Sequence, residues 1–174
     1  MRQDVHGFVR ACQSRLNTAP TGYVTAMNIF EELRSDHDTQ RTLLEELCQT
    51  SGASEARAEL FERVKVELKA HAKAEERHFY TELLKSDLTQ DKARHSVHEH
   101  EQLDDLLERL EEYEFDAPQW LTTANDLRGR LTHHLDEEER KVFQLAGKAL
   151  SEDQKSKLAE AYADMMSAER DALS

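Results

Sequence analysis

Two histidine–glutamate pairs carry the first chemical signal. His71 and Glu75, and His134 and Glu138, each stand four residues apart in segments with helical apolar spacing. Residues at i and i+4 share one face of a helix. Leu60, Val64 and Leu68 lead into the first pair and Phe79 follows it. Leu127 and Leu131 lead into the second, with Val142 and Leu145 beyond. The chain therefore aims imidazoles and carboxylates where its leucines point. The pattern is also a repeat. His71 and His134, Glu75 and Glu138, and two further histidines, His37 and His100, are each separated by 63 residues. Around the latter, "HDTQRTLLEEL" answers "HEQLDDLLERL". Val64 answers Leu127, Leu68 answers Leu131 and Tyr80 answers Phe143.

Two helical hairpins would thus each supply one His from a first helix and His-x-x-x-Glu from a second. A buried, unpaired carboxylate costs several kcal/mol, so four imidazoles and two carboxylates in one core need a shared reason. Cations supply it: they neutralise the carboxylates, imidazole nitrogens donate to them, and one carboxylate can bridge two ions. This donor set suits Fe, Mn or Zn better than Ca or Mg. Taken singly, each residue has a plainer reading. A lone core histidine is ordinarily hydrogen-bonded, Glu75 alone would face water, and "EEE" at 137–139 could be a solvated face. Those readings do not account for three positions repeated at one offset within the apolar stripe.

The elements that must position these groups are long helices. Only 5 Gly and 2 Pro, with 34% charged and 6% aromatic residues, leave few turns in 174 residues, enough for one domain with a core. The apolar period predicts helices over about 3–17, 25–49, 55–85, 89–113 and 118–147, and a last one opened by the capping box "SEDQ" at 151–154. Asp116 is the expected N-cap before Pro118, and Gly147 the expected stop. Short connections favour antiparallel neighbours, so the expected fold is all-α: an up-down-up-down four-helix bundle with extra terminal helices. Residues 1–22 read as a helical N-terminal extension and residues 23–174 as the bundle with its C-terminal helix. A net charge of −13 disfavours nucleic acid and anionic membrane surfaces as partners. Cys12 and Cys48 form no C-x-x-C pair, and no apolar run reaches a bilayer-spanning length, so a cytoplasmic location is expected.

His…His-x-x-x-Glu…His…His-x-x-x-Glu in such a bundle resembles the hemerythrin-like, or HHE cation-binding, family. The stretches that carry the resemblance are "AMNIFEELRSDHDTQRTLLEEL", "LKAHAKAEERHFYTELL", "HEHEQLDDLLERL" and "LTHHLDEEERKVFQLA". It implies two iron ions with an oxo or hydroxo bridge, in preference to manganese or zinc. It assigns His37, His71, His100 and His134 as iron ligands and Glu75 and Glu138 as bridges. Oxygen-carrying hemerythrins have a further His four residues from the third and an Asp five after the last. Here Ser96 and Asp104 flank His100, and Glu138 and Glu139 follow His134 at +4 and +5. Fewer protein nitrogens leave room for an exogenous ligand, as in the four-His, two-Glu subclass.

The expected function is binding of, or reaction with, a small oxidant (O2, NO or peroxide) in stress response or iron handling. The alternative is a non-catalytic metal- or gas-sensing module, with a protein partner or a second copy of the chain as its target. A ferritin-like oxidase needs Glu-x-x-His on two helices. Glu75-x-x-His78 offers one, but Lys141 stands where the second His belongs. His78, seven residues after His71, is a candidate fifth nitrogen ligand or a donor behind one; packing at the bundle end competes with that reading. His98 and His133 fall on other faces by helix phase, and His95 is ambiguous. Tyr80 and Tyr113 are candidates for redox activity or for packing.

Overall fold

The computed structural model describes residues 27–174. The expected helix at 3–17 and the extension at 1–22 lie outside the described residues. Helix α1 spans Ile29–Cys48. Its start is set by Asn28, whose side chain accepts from the Phe30 and Glu31 amides while Glu31 accepts from the Asn28 amide. This reciprocal cap satisfies amides that have no carbonyl one turn earlier. Helix α2 spans Glu55–Glu75 behind a Ser54 cap, passes through a π-helical stretch, Glu76–Tyr80, and ends at Thr81–Leu83. Helix α3 is Gln90–Glu112. Helix α4 runs Pro118–Glu137, then a π-helical stretch, Glu138–Val142, then Phe143–Ala149. Helix α5, Glu152–Leu173, opens on the expected Ser151–Gln154 capping box.

These elements form the expected four-helix bundle. α1 packs on α2 and α4, α3 packs on α4 and meets α2, and α5 lies outside against α1 and α2. Two local expectations fail. Ala117, not Asp116, is the N-cap of α4, and it makes no side-chain cap bond; Pro118 begins the helix with its φ already set. Gly147 does not stop α4, which continues to Ala149 because the next capping box supplies the break.

The core has two apolar halves. One holds Ile29, Leu33, Phe79, Leu83, Val142, Phe143, Tyr162 and Met166, and only this half is covered by α5. The other holds Leu44, Leu47, Phe61, Val64, Leu107, Leu110, Trp120 and Leu127. The repeated histidines and glutamates lie along the helices between them.

The π turns follow the two repeated motifs directly, starting one residue after Glu75 and at Glu138 itself. A π turn accommodates an extra residue, which rotates everything beyond it. Tyr80 and Phe143, each five residues after its glutamate, consequently face inward and are buried. Ala146 is buried where Leu145 was expected. The Thr81 hydroxyl donates to the Glu76 carbonyl at 2.8 Å, supporting a carbonyl that the wider turn displaces.

At the far end, Arg57 is 2% exposed and joins two turns. Its Nη2 donates to the Thr50 carbonyl at 2.6 Å, Nη1 donates to the Phe115 carbonyl, and the guanidinium lies 4.7 Å from the Trp120 ring. Replacing Arg57 by Ala leaves two inward carbonyls unpaired and a void beside Trp120. An Arg57→Ala variant is expected to lose about 2–5 kcal/mol of stability, measured by urea unfolding of metal-stripped protein.

Candidate metal centre

All six repeated residues meet in the bundle interior. His37, His71, Glu75, His134 and Glu138 are at most 2% exposed, and His100 is 6% exposed. His71 Nε2 lies 3.4 Å from Glu75 Oε2, and His100 Nε2 lies 3.4 Å from the same oxygen. His37 Nε2 lies 3.3 Å from Glu138 Oε2. Two triads, His71–Glu75–His100 and Glu75–His134–Glu138, bring one donor atom from each member within 4.8 Å of the others. Glu75 belongs to both.

Each of the four clustered histidines turns Nε2 inward and is held from behind through Nδ1. His37 Nδ1 meets Glu139 at 2.9 Å, His100 Nδ1 meets Glu76 at 2.8 Å and His134 Nδ1 meets Glu99 at 3.0 Å. His71 Nδ1 meets the Tyr162 hydroxyl at 2.7 Å, and that hydroxyl donates to Asp36 at 2.6 Å. With its proton committed to Asp36, the tyrosine accepts from His71. A neutral histidine whose Nδ1–H is engaged keeps a lone pair on Nε2. This arrangement fixes metal-binding imidazoles and raises their basicity.

The inward atoms fit cations. His37 Nε2, His71 Nε2, both oxygens of Glu75 and Glu138 Oε2 are buried with no hydrogen-bond partner. The approaches at 3.3–3.4 Å lack hydrogen-bond alignment. His100 Nε2 and His134 Nε2 face each other at 3.1 Å. With both Nδ1 protons donated outward, two lone pairs oppose unless a proton or a cation intervenes. Donors around one transition cation at roughly 2.1 Å stand roughly 3–4 Å apart, which matches these separations.

With protons alone to balance the charges, the site titrates anomalously. Burial works against charge on His37, but the Glu138 and Glu139 carboxylates outweigh it and lift the imidazole to about 9. Burial opposes His100 likewise, and Glu75 with Glu76 lifts it to about 9. His134 falls to about 4, because burial outweighs the carboxylate of Glu99 and His100 repels its charge. Glu138 is pushed up by burial and by the adjacent Glu75. Burial also opposes ionisation of Glu75, but His71 and His100 hold it well below the usual carboxylate range.

His78 does not join the cluster. The π turn places it half-buried while Phe79 and Tyr80 turn inward. Lys141 is exposed and pairs with Glu137 at 2.9 Å, so the ferritin-type pattern lacks its second histidine. Tyr80 is buried and donates to Glu138 at 2.9 Å, whereas Tyr113 is exposed beyond α3. His95, His98 and His133 are exposed. Sequence reasoning missed the groups behind the histidines. Glu76 and Glu139 follow the two repeated glutamates at the same 63-residue offset, and Asp36 and Glu99 precede His37 and His100 at that offset. The repeat thus contained a signal for four of them. Tyr162 lies outside the repeat and had none.

The hemerythrin HHE cation binding domain matches residues 28–146, more than half of the chain and all six clustered residues. The chain belongs to this family and is a metal-binding helical protein. A solved hemerythrin HHE cation binding domain-containing protein from Mycobacterium kansasii shares the fold, with a TM-score of 0.76 and 24% identity over 84% of this chain and 89% of that one. No curated protein matches the sequence. Among the described residues, no helix is long and apolar enough to cross a membrane.

The titration pattern has a direction. His37, His100 and Glu138 all bind protons more tightly when folded than when unfolded. Their contribution is full at low pH and is lost as pH rises past about 6.5 for the histidines and past the ordinary carboxylate range for Glu138. His134 opposes them only below about 6.5. Chelator-stripped protein should therefore melt lower at pH 9 than at pH 6.5, with a smaller drop in Glu138→Gln, as followed by thermal denaturation.

Proposed function

We infer that the chain is a non-heme di-iron protein whose centre binds or reacts with a small oxidant: O2, NO or peroxide. In this reading His37, His71, His100 and His134 would supply nitrogens to the two ions, and Glu75 and Glu138 would supply carboxylate oxygens. The observation that carries it is the set of inward, unpartnered Nε2 and carboxylate atoms, each imidazole fixed through Nδ1. Iron there supplies redox and Lewis-acid chemistry. The protein's own part is to fix the four imidazoles through Nδ1 so that Nε2 faces the ions, to hold two carboxylates in a buried core where the cations would take the place of protons, and to restrict access to small ligands. Glu138 also accepts a hydrogen bond from Tyr80, which orients one carboxylate and has no counterpart at Glu75, because Phe143 occupies the repeat position.

A second reading, a metal- or gas-dependent sensor, draws on one connection. Tyr162 lies on α5 and joins His71 to Asp36. Arg170, also on α5, reaches Asp36 at 2.8 Å and Glu67 at 2.9 Å. Occupancy of the centre would then be felt by the outermost helix, a face available to a partner protein. Consumption of peroxide or oxygen favours the first reading. Metal-dependent hydrogen-exchange protection of α5 without turnover favours the second.

Protein purified without added metal is expected to carry about two irons per chain and near-ultraviolet charge-transfer bands. Glu75→Gln and His134→Ala should lose both, as measured by metal analysis and absorption. A protein that stays empty and equally stable after anaerobic iron addition overturns the reading. Tyr162→Phe removes the acceptor behind His71 and is expected to weaken iron binding about 10–100-fold, measured by competition with a chelator.

A further inference from the structure

Among the described residues, Gln40 is the one buried amide side chain that the site leaves unexplained. It lies on α1 three residues after His37, is 1% exposed, and neither Nε2 nor Oε1 has a hydrogen-bond partner. A buried amide without partners is costly. The repeat makes its identity more pointed. The position 63 residues on is Leu103, an apolar wall residue. A leucine at 40 would complete the same wall on the other side.

The amide instead contributes to a pocket of about 320 Å³ that opens between α2 and α3. Its buried lining includes Gln40, His71, His100 and His134; Leu68 and Leu131 are also buried there, while Lys73 and Asp104 on the same pocket are exposed. The buried part of the lining is thus apolar apart from three imidazoles and one amide, and the charged side chains, Lys69, Lys73, Glu76, Glu101 and Asp104, stand at the half-buried and exposed rim. That composition admits a small molecule and offers its outer end a single neutral hydrogen-bonding group.

We propose that Gln40 is a specificity-determining contact, hydrogen-bonding the small ligand that enters this pocket beside His71, His100 and His134. The inference rests on the di-iron reading and names the ligand's chemistry more closely. The ligand is two or three heavy atoms long, with an outer nitrogen or oxygen that accepts from Nε2. A protonated outer atom also donates to Oε1, so a peroxide uses both halves of the amide and a diatomic gas uses one. Leu103 opposes it as the wall that limits size.

The test uses azide as probe on iron-loaded full chain, read by its charge-transfer band, with a parallel melt of metal-stripped protein. Gln40→Leu is expected to take up iron normally, to bind azide at least tenfold more weakly, and to melt higher when stripped. Gln40→Glu keeps the size but loses the donor, and is expected to weaken azide further. Unchanged azide affinity in Gln40→Leu overturns the proposal and leaves the di-iron reading intact. A lower melting temperature for stripped Gln40→Leu, or loss of iron from that variant alone, makes the amide structural and also overturns it. Failure of the unsubstituted chain to bind iron overturns both readings.

Discussion

Two carboxylates lie side by side in a buried layer between two apolar halves of a helical bundle, and most of the architecture answers to that fact. Neither half of the core can close over Glu75 and Glu138 unless their charge is balanced and their oxygens are engaged. Four imidazoles face them, and each imidazole is turned by a group behind it. The three glutamates among those groups, Glu76, Glu99 and Glu139, sit at intermediate depth, and Arg41 meets Glu139 at 3.0 Å. Charge is thus graded from the bundle's surface to its centre instead of being dropped into the core in one step.

The two halves of the repeat solve the same problem with different parts. Behind His134 stands Glu99 directly. Behind His71 the equivalent acid is Asp36, one methylene shorter, and the Tyr162 hydroxyl fills the interval. That substitution recruits α5, which is outside the repeat, into the support of the site. Arg170 then anchors the same aspartate to Glu67. The helix that looks like packaging is therefore wired to one imidazole and not to its counterpart.

Much of this was legible beforehand. Helix positions, the four-helix bundle and the six clustered residues follow from the apolar period and the 63-residue offset, because burial and periodicity are local properties. What escaped was what a uniform 3.6-residue period cannot express. The π turns rotate the chain after each glutamate, so His78 was placed inward when Tyr80 takes that role, and Leu145 was favoured over Ala146. Gln40 escaped because a polar residue breaks an apolar stripe without announcing a purpose. Tyr162 escaped because its contact with His71 spans 91 residues of sequence, and nothing local marks a tyrosine that will accept a hydrogen bond from so far away. Glu76 and Glu139 resembled ordinary surface acid, since helical phase alone does not separate a solvated carboxylate from one that reaches a histidine on a neighbouring helix.

The carboxylates behind the first histidine of each hairpin are exchanged. Glu139, on the second hairpin, holds His37 of the first, and Glu76, on the first, holds His100 of the second. Each hairpin therefore lends what it cannot use itself. A lone hairpin would have its inward nitrogens but no fixed tautomer for one of them, while two identical hairpins related by a twofold axis would complete each other. The covalent link between the halves frees them from that identity. Asp36 can then differ from Glu99, Gln40 from Leu103 and Tyr80 from Phe143, giving a symmetric frame two unlike sides.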